Sequence, residues 1–526
     1  MDRMSAMDAM FYYMEGENTP MHVGGVAVLE GPAPAYGDLV RLLAGKMDQV
    51  PRYRQVIKTV PFQVGRPIWV DDPHFQILYH VRHTSLPKPG GPEQLRNLAG
   101  RVFAQRLDMT KPVWEAWLVE GLEDDRWALI SKAHHCMIDG EGSTDLMQVI
   151  FDLEPDPVRH EPSAWVPSTA PSTLALTAGS LRDFVQEPFQ AIGVPSLSDL
   201  SKVPMALAGV GVAAKELVPQ QIAQMIPGRG QPTPKSMNGP LGPNRRWVWT
   251  EATMAEVKTI RTALGGTVND VILAAVTRGY RDLVAGRGEL VPDMVVRSLV
   301  PVSTRQASGR GQLNNQVTSV VVDLPVAEDD PTHRLTLIRE QMDRNKRGMG
   351  AVDAAAIVGL ADYASPTLLA LGARSMSHVP NRLTQTGTTN VPGPRVPLYL
   401  LGHQLIKSHP YVPVFAGVRV ATGIFSYLDT FSFGITADFD SFPDVDVIAD
   451  GIRAGFNELV AIAVSSTAPS VSPAMPAPAK GTGAGKTTAT TNRTTTKRTA
   501  ATKNTAATKR TGTTKRTGTT KRTPRS

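Results

Sequence analysis

One cysteine, Cys136, stands in 526 residues. A single thiol builds no internal disulfide framework, so the chain is expected to rest on hydrophobic cores and to suit a reducing cytoplasm. Long apolar runs are missing too. The longest clean one, Val203 to Ala214, stops well short of the ~18 residues that a membrane-spanning helix needs. The opening MDRMSAMDAMFYYMEGE has no apolar core or cleavage site, so no export signal is expected. Acidic residues are absent from Val471 to Ser526, which hold 13 lysines and arginines; the first 470 residues therefore carry −6 against +7 for the whole. That tail repeats TTKRTG with almost nothing to bury, and it reads as disordered.

What is present is enough for sizeable cores: 41% of residues are hydrophobic. The length fits two domains with connectors. Strand-like MHVGGVAVLEG precedes two helical patterns, GDLVRLLAGKMDQVPRYR and GPEQLRNLAGRVFAQRL. PVWEAWLVEGL and RWALISKAHH read as a β-hairpin about the turn Glu-Asp-Asp. Pro- and Ser-rich sequence dominates 159–245 and is read as the connector between domains at 1–158 and 246–464, with the tail taken as 465–526. The second half resumes as a strand and helices through RRWVWTEATMAEVKTIRTALGGTVNDVILAAV, then four strand-like segments and a last helix, DVIADGIRAGFNELVAIAV.

The densest cluster of reactive side chains is SKAHHCMIDGEGSTDL, 131–146. A metal site is disfavoured because His134 and His135 are neighbours on a strand and point to opposite faces, with no second His/Cys cluster to complete a ligand set. The same parity separates Cys136 from His135, which leaves the thiol an inert small hydrophobe. Parity places His135 with Trp127, Leu129, Ser131 and Ala133, and His134 with Lys132, so His135 is the one set to face a dry cavity as a general base. The alternative is that both histidines merely cap a strand end. Gly140 permits a turn, and Leu146, Val149, Ile150 and Leu153 predict a helix behind a Ser143 cap.

His134-His135-x-x-x-Asp139-Gly140 resembles the HHxxxDG signature of the coenzyme-A-dependent acyltransferase superfamily. TPMHVGGVAVLEG, KPVWEAWLVEGL, GGTVNDVILAAV and TNVPGPRVPLYLLG further resemble the bacterial wax ester synthase/diacylglycerol acyltransferase family, in its order; Val113 replaces the leucine of its Pro-Leu-Trp. The resemblance implies an α/β fold of two chloramphenicol acetyltransferase-like sandwich domains with mixed sheets, and a tunnel at their interface. It implies that His135 is the base, that His134 supports it, that Asp139 orients the motif loop, and that Asn269 lines the catalytic centre from the second half. Asn269 and Asp270 can also be read as a helix start, and Asn390, Pro392, Gly393 and Pro394 are read as a rigid turn without a chemical role.

The implied activity is acyl transfer from acyl-CoA, a co-substrate, to diacylglycerol or a long-chain alcohol, with no cofactor and no metal. The rival readings are an acyltransferase of complex-lipid or polyketide assembly with a carrier-bound donor, and a non-catalytic lipid-binding protein. GTGAGKTT, 481–488, is no P-loop, because the glycine that should precede Gly485 by five positions is Lys480. The basic tail fits attachment to an anionic membrane or lipid inclusion. Without aromatics for base stacking, specific nucleic-acid binding is not expected.

Overall fold

The computed structural model describes residues 2–137, 149–158, 164–180, 230–303, 317–346, 383–415 and 417–467, with four more near 370. The tail from 468 and most of the connector lie outside these residues. The first half runs β1 (Asp2–Arg3), α1 (Ala6–Met14), β2 (His22–Glu30), α2 (Tyr36–Lys46), β3 (Gln55–Lys58), β4 (Ile68–Asp71), α3 (Ile77–His80), β5 (Val81–Ser85), α4 (Pro92–Ala104), β6 (Trp114–Leu122) and β7 (Arg126–His134). The second runs β8 (Arg245–Thr253), α5 (Met254–Leu264), α6 (Val268–Gly286), β9 (Val296–Ser303), β10 (Val317–Leu324), α7 (Pro331–Lys346) and β11 (Thr386–Pro392). It closes with β12 (Tyr399–Leu400), β13 (His403–Tyr411), β14 (Val420–Tyr427), β15 (Thr430–Asp438) and α8 (Val445–Thr467).

Two mixed six-stranded sheets organise these elements, in the orders β12-β13-β2-β7-β6-β5 and β10-β9-β11-β14-β15-β8, beside a small sheet β1-β4-β3. The expected hairpin is β6–β7, and Asp124 and Asp125 turn it with φ of 60° and 52°, which short acidic side chains tolerate. On β7, Trp127, Leu129 and Ala133 enter one hydrophobic cluster while Ala128 and Ile130 enter another. Both faces of the strand are covered, so its middle, Trp127 to Ile130, is an unbroken apolar run.

The sheets are not confined to the halves of the chain. β13 leaves the second half and pairs antiparallel with β2, so residues 399–411, read as part of a domain at 246–464, complete the first sheet instead. The chain then returns to the second sheet as β14. Backbones meet at Pro410: its carbonyl accepts from Trp247 Nε1 at 3.1 Å, and a Cβ added to Gly434 would lie 1.8 Å from that oxygen. Glycine at 434 is therefore a requirement of close approach.

Helix ends follow local chemistry. Thr267 caps α6 by accepting from Asp270 N–H, and Asp270 Oδ2 accepts from Thr267 N–H at 2.7 Å, a reciprocal capping box. Val271, Ile272 and Val276 behind it are buried, each contributing about 1.5–3 kcal/mol of transfer free energy. Two helices end earlier than their patterns predict. α2 stops at Lys46 and gives way to 3-10 turns, because Pro51 lacks an N–H and disfavours helix at Val50. After 149–150 the expected helix also ends: Asp152 exchanges two 2.8 Å backbone bonds with Tyr399, Phe151 becomes buried, and Leu153 is left 69% exposed.

Candidate active site

β7 ends at His134, and His135–Met137 form a 3-10 turn. His135 is thus not the last residue of a strand with an alternating direction, as parity supposed; it opens a turn at the strand's end. Its N–H donates to Met21 O at 2.8 Å and its ring stacks on Phe11 of α1, centroids 3.8 Å apart. Nδ1 is sealed from solvent, with no hydrogen-bond partner among the described residues. Burial pushes the imidazole down to about 4, and His134 beside it acts in the same direction. The ring is neutral at physiological pH.

His134 lies deeper, 1% exposed. Nδ1 faces Cys136, 3.2 Å from its backbone N–H and 2.9 Å from Sγ. Nε2 lies 3.5 Å from Oε2 of Glu15, long for a hydrogen bond but close for an oriented charge–dipole contact. Glu15 also accepts from Met21 N–H at 2.6 Å and from Arg106 Nε at 3.1 Å. Burial alone would raise this carboxyl; His134, Met21 N–H and Arg106 outweigh it and hold Glu15 below the usual carboxylate range. Burial, with Asp8 and Glu15 nearby, pushes the Cys136 thiol well above its ordinary range, in keeping with an inert thiol.

Asp139 and Gly140 lie outside the described residues, as does the Ser143 cap. Asn269 sits in the first turn of α6, inside the capping box, so the helix-start reading of this stretch holds for Thr267 and Asp270. Asn269 itself does something further: its Oδ1 accepts from Asn390 Nδ2 at 2.6 Å, joining α6 to β11. Val391, next to Asn390, packs against the cluster that includes Cys136, Met137, Phe425 and Tyr427. Residues of both halves thus belong to the hydrophobic cluster that holds Cys136 and Met137, while among the described residues no hydrogen bond joins His135 to Asn269. A cavity of about 30 Å³, room for roughly one water or methylene, opens beside β7 between Leu43, Met47, Tyr53, Trp114, Ala133 and Ile150. No group of three or more His, Cys, Asp or Glu among the described residues is arranged to hold a metal.

Phe11, Glu15, Met21 and Arg106 escaped the sequence reading. Phe11 and Glu15 are four residues apart at the end of α1, a spacing that puts ring and carboxylate on one side. Nothing in one sequence says that this side faces residue 135.

Two mixed sheets, the first completed by β13 from the second half of the chain and carrying the paired-histidine turn at its rim, make a fold like that of condensation domains. The first condensation domain of the calcium-dependent antibiotic synthetase, solved with a substrate analogue, superposes with a TM-score of 0.52 at 13% identity, covering 89% of this chain and 98% of that one. The particular family follows from sequence: residues 4–272 match the wax ester synthase/diacylglycerol acyltransferase catalytic domain and 313–460 the C-terminal domain of the same family, to which this chain belongs. The probable diacylglycerol O-acyltransferase tgs1 of Mycobacterium tuberculosis is 33% identical over 468 residues, 88% of this chain and 96% of that protein. The wax ester synthase/diacylglycerol acyltransferase of Marinobacter aquaeolei VT8 shares the fold with a TM-score of 0.60 at 24% identity, covering 88% of this chain and all of that one. The protein is an acyltransferase of lipid metabolism.

Proposed function

We propose that the protein transfers a long-chain acyl group from acyl-CoA to the hydroxyl of diacylglycerol, and also to long-chain alcohols, with His135 as general base. The observation that carries the reading is the placement of His135, stacked on Phe11 at the turn that ends β7, where burial pushes its imidazole down to about 4 and so favours the neutral base. A neutral imidazole keeps a lone pair on one ring nitrogen, taken here as Nε2, which can accept a proton. The acceptor oxygen attacks the thioester carbonyl as Nε2 receives its proton, and the imidazolium returns that proton to the departing thiolate of coenzyme A. No acyl-enzyme forms.

Asn269 suits an oxyanion donor. Asn390 occupies its Oδ1, which leaves the Nδ2 hydrogens to donate toward developing negative charge. His134 supports the turn, and Asp139 orients the motif loop. The basic tail holds the enzyme at an anionic membrane or lipid-inclusion surface on the cytoplasmic side; no helix of the described residues is long and apolar enough to cross a membrane.

The test is ester formation from radiolabelled palmitoyl-CoA with diacylglycerol or hexadecanol, resolved by lipid chromatography. Wild type should make triacylglycerol, and His135→Ala should lose at least about a hundredfold in rate. Ester formation that persists in the variant removes His135 from the chemistry. Removing residues 471–526 should leave turnover intact and weaken binding to anionic vesicles at low salt.

A further inference from the structure

The motif's first histidine and a glutamate more than a hundred residues earlier form a chain of contacts that the acyl-transfer chemistry does not use. Glu15 follows α1, and its carboxylate bonds the Met21 N–H directly and faces the N–H of Cys136 only through the ring of His134. On one side Oε2 accepts from Met21 N–H at 2.6 Å, and the carbonyl of the same residue accepts from His135 N–H at 2.8 Å. On the other side Oε2 stands 3.5 Å from His134 Nε2, and His134 Nδ1 stands 3.2 Å from the N–H of Cys136.

The second branch fixes a tautomer. A peptide N–H is only a donor, so the nitrogen that faces Cys136 N–H must present a lone pair. An ionised carboxylate is only an acceptor, so the nitrogen that faces Glu15 must carry the proton. The two demands agree on His134 protonated at Nε2 and open at Nδ1. Reversing the tautomer would set two donors against each other at Cys136 and two acceptors against each other at Glu15. Arg106, at 3.1 Å from Oε1, adds to the contacts with His134 and Met21 N–H that hold this buried carboxylate below its usual range. α1 also delivers Phe11 to the face of the His135 ring.

We infer that Glu15 is a positioning residue for acyl transfer: through Met21 and through the tautomer of His134 it sets the 3-10 turn that aims His135. This rests on the assignment of His135 as the base. It assigns a purpose to His134 distinct from proton transfer, namely to carry the orienting influence of Glu15 to the backbone one residue beyond the base.

The tests use the full-length protein. Glu15→Gln keeps an acceptor for Met21 N–H but loses the charge that selects the tautomer; its kcat should fall at least tenfold while KM for palmitoyl-CoA stays within threefold, since no substrate contact is removed. His134→Asn, whose side-chain oxygen can replace Nδ1 as the acceptor for Cys136 N–H, should retain at least ten times the kcat of His134→Leu. A role in stability alone would lower the melting temperature and leave kcat per folded molecule unchanged. Wild-type protein labelled with ¹⁵N-histidine gives a reading independent of variant folding: the His134 signals should show the Nε2–H tautomer. An Nδ1–H tautomer, wild-type kcat in Glu15→Gln, or equal rates for His134→Asn and His134→Leu would each overturn the inference. His135→Ala in the same assay separates the two failures. If that variant is inactive while Glu15→Gln is fully active, only the positioning role falls; if it is fully active, the base assignment falls and takes the positioning role with it.

Discussion

Acidification should destabilise this fold well above the range in which most carboxylates titrate, because several histidines are buried uncharged. His409 on β13 is 1% exposed, bonded through Nδ1 to Ser432 Oγ at 2.7 Å and stacked on Trp249; burial, with the charges of Lys407 and Arg96, pushes it down to about 3. His135 is pushed to about 4, and His22, held against Phe103 O, lies well below its ordinary value. In the unfolded chain each titrates near 6.5. The unfolded state therefore binds more protons between pH 6.5 and the folded values, and stability falls as pH falls through that window. Linkage gives a loss of about 2 kcal/mol by pH 5 for each of His409 and His135, with His22 adding in the same direction. Asp323 opposes them: burial, only partly offset by Arg297, raises it to about 6, so its protonation returns about 1 kcal/mol over the same range. Carboxylates held low, such as Glu15 and Asp438, contribute little until the pH falls below about 4. The net expectation is a loss of about 3 kcal/mol between pH 7.5 and 5, a large share of the ~5–15 kcal/mol that holds a domain folded. Urea unfolding followed by tryptophan fluorescence at the two pH values measures it as a shift of midpoint at constant slope. His409→Gln should remove about 2 kcal/mol of the pH dependence. A loss below about 1 kcal/mol in the wild type, or an unchanged pH dependence in His409→Gln, would refute the burial argument.

The same depressed value at His135 predicts that kcat/KM for acyl transfer shows no acid limb near pH 6.5 and stays level down to about pH 5; an apparent pKa near 6.5 in the rate profile would place the active imidazole in a wetter site than this one. Cys136, buried and with its thiol raised, should not react with a thiol-specific chromogenic disulfide in the native protein at pH 8 and should react fully in urea; rapid native labelling would contradict its burial. Gly434→Ala drives a methyl against Pro410 O and should cost ~3 kcal/mol or more, read as a fall in melting temperature or loss of soluble protein.

Much of the local structure was legible because it depends on near neighbours. Two strand-like segments about Glu-Asp-Asp marked the β6–β7 hairpin, and Asp124 and Asp125 of that turn do adopt positive φ. Thr267 and Asp270 announced the start of α6 by a capping box that closes within four residues. α2 shows where periodicity misleads: the apolar pattern continues past Lys46, but Pro51 removes a donor and ends the helix early. Leu153 shows the other kind of miss, since a backbone bridge from Asp152 to Tyr399, distant in sequence, decides that it faces solvent.

Sequence by itself determined the family, the candidate base at His135 and the inertness expected of Cys136, because these rest on residue type and spacing. Tertiary structure alone decided that β13 crosses to complete the first sheet, that Asn390 holds Asn269, and that Glu15 and Phe11 of α1 close around the His135 turn. Strand exchange and side-chain pairing across 120 residues are settled by which surfaces bury each other best. That competition is among all segments of the chain, and no single stretch of sequence records its result.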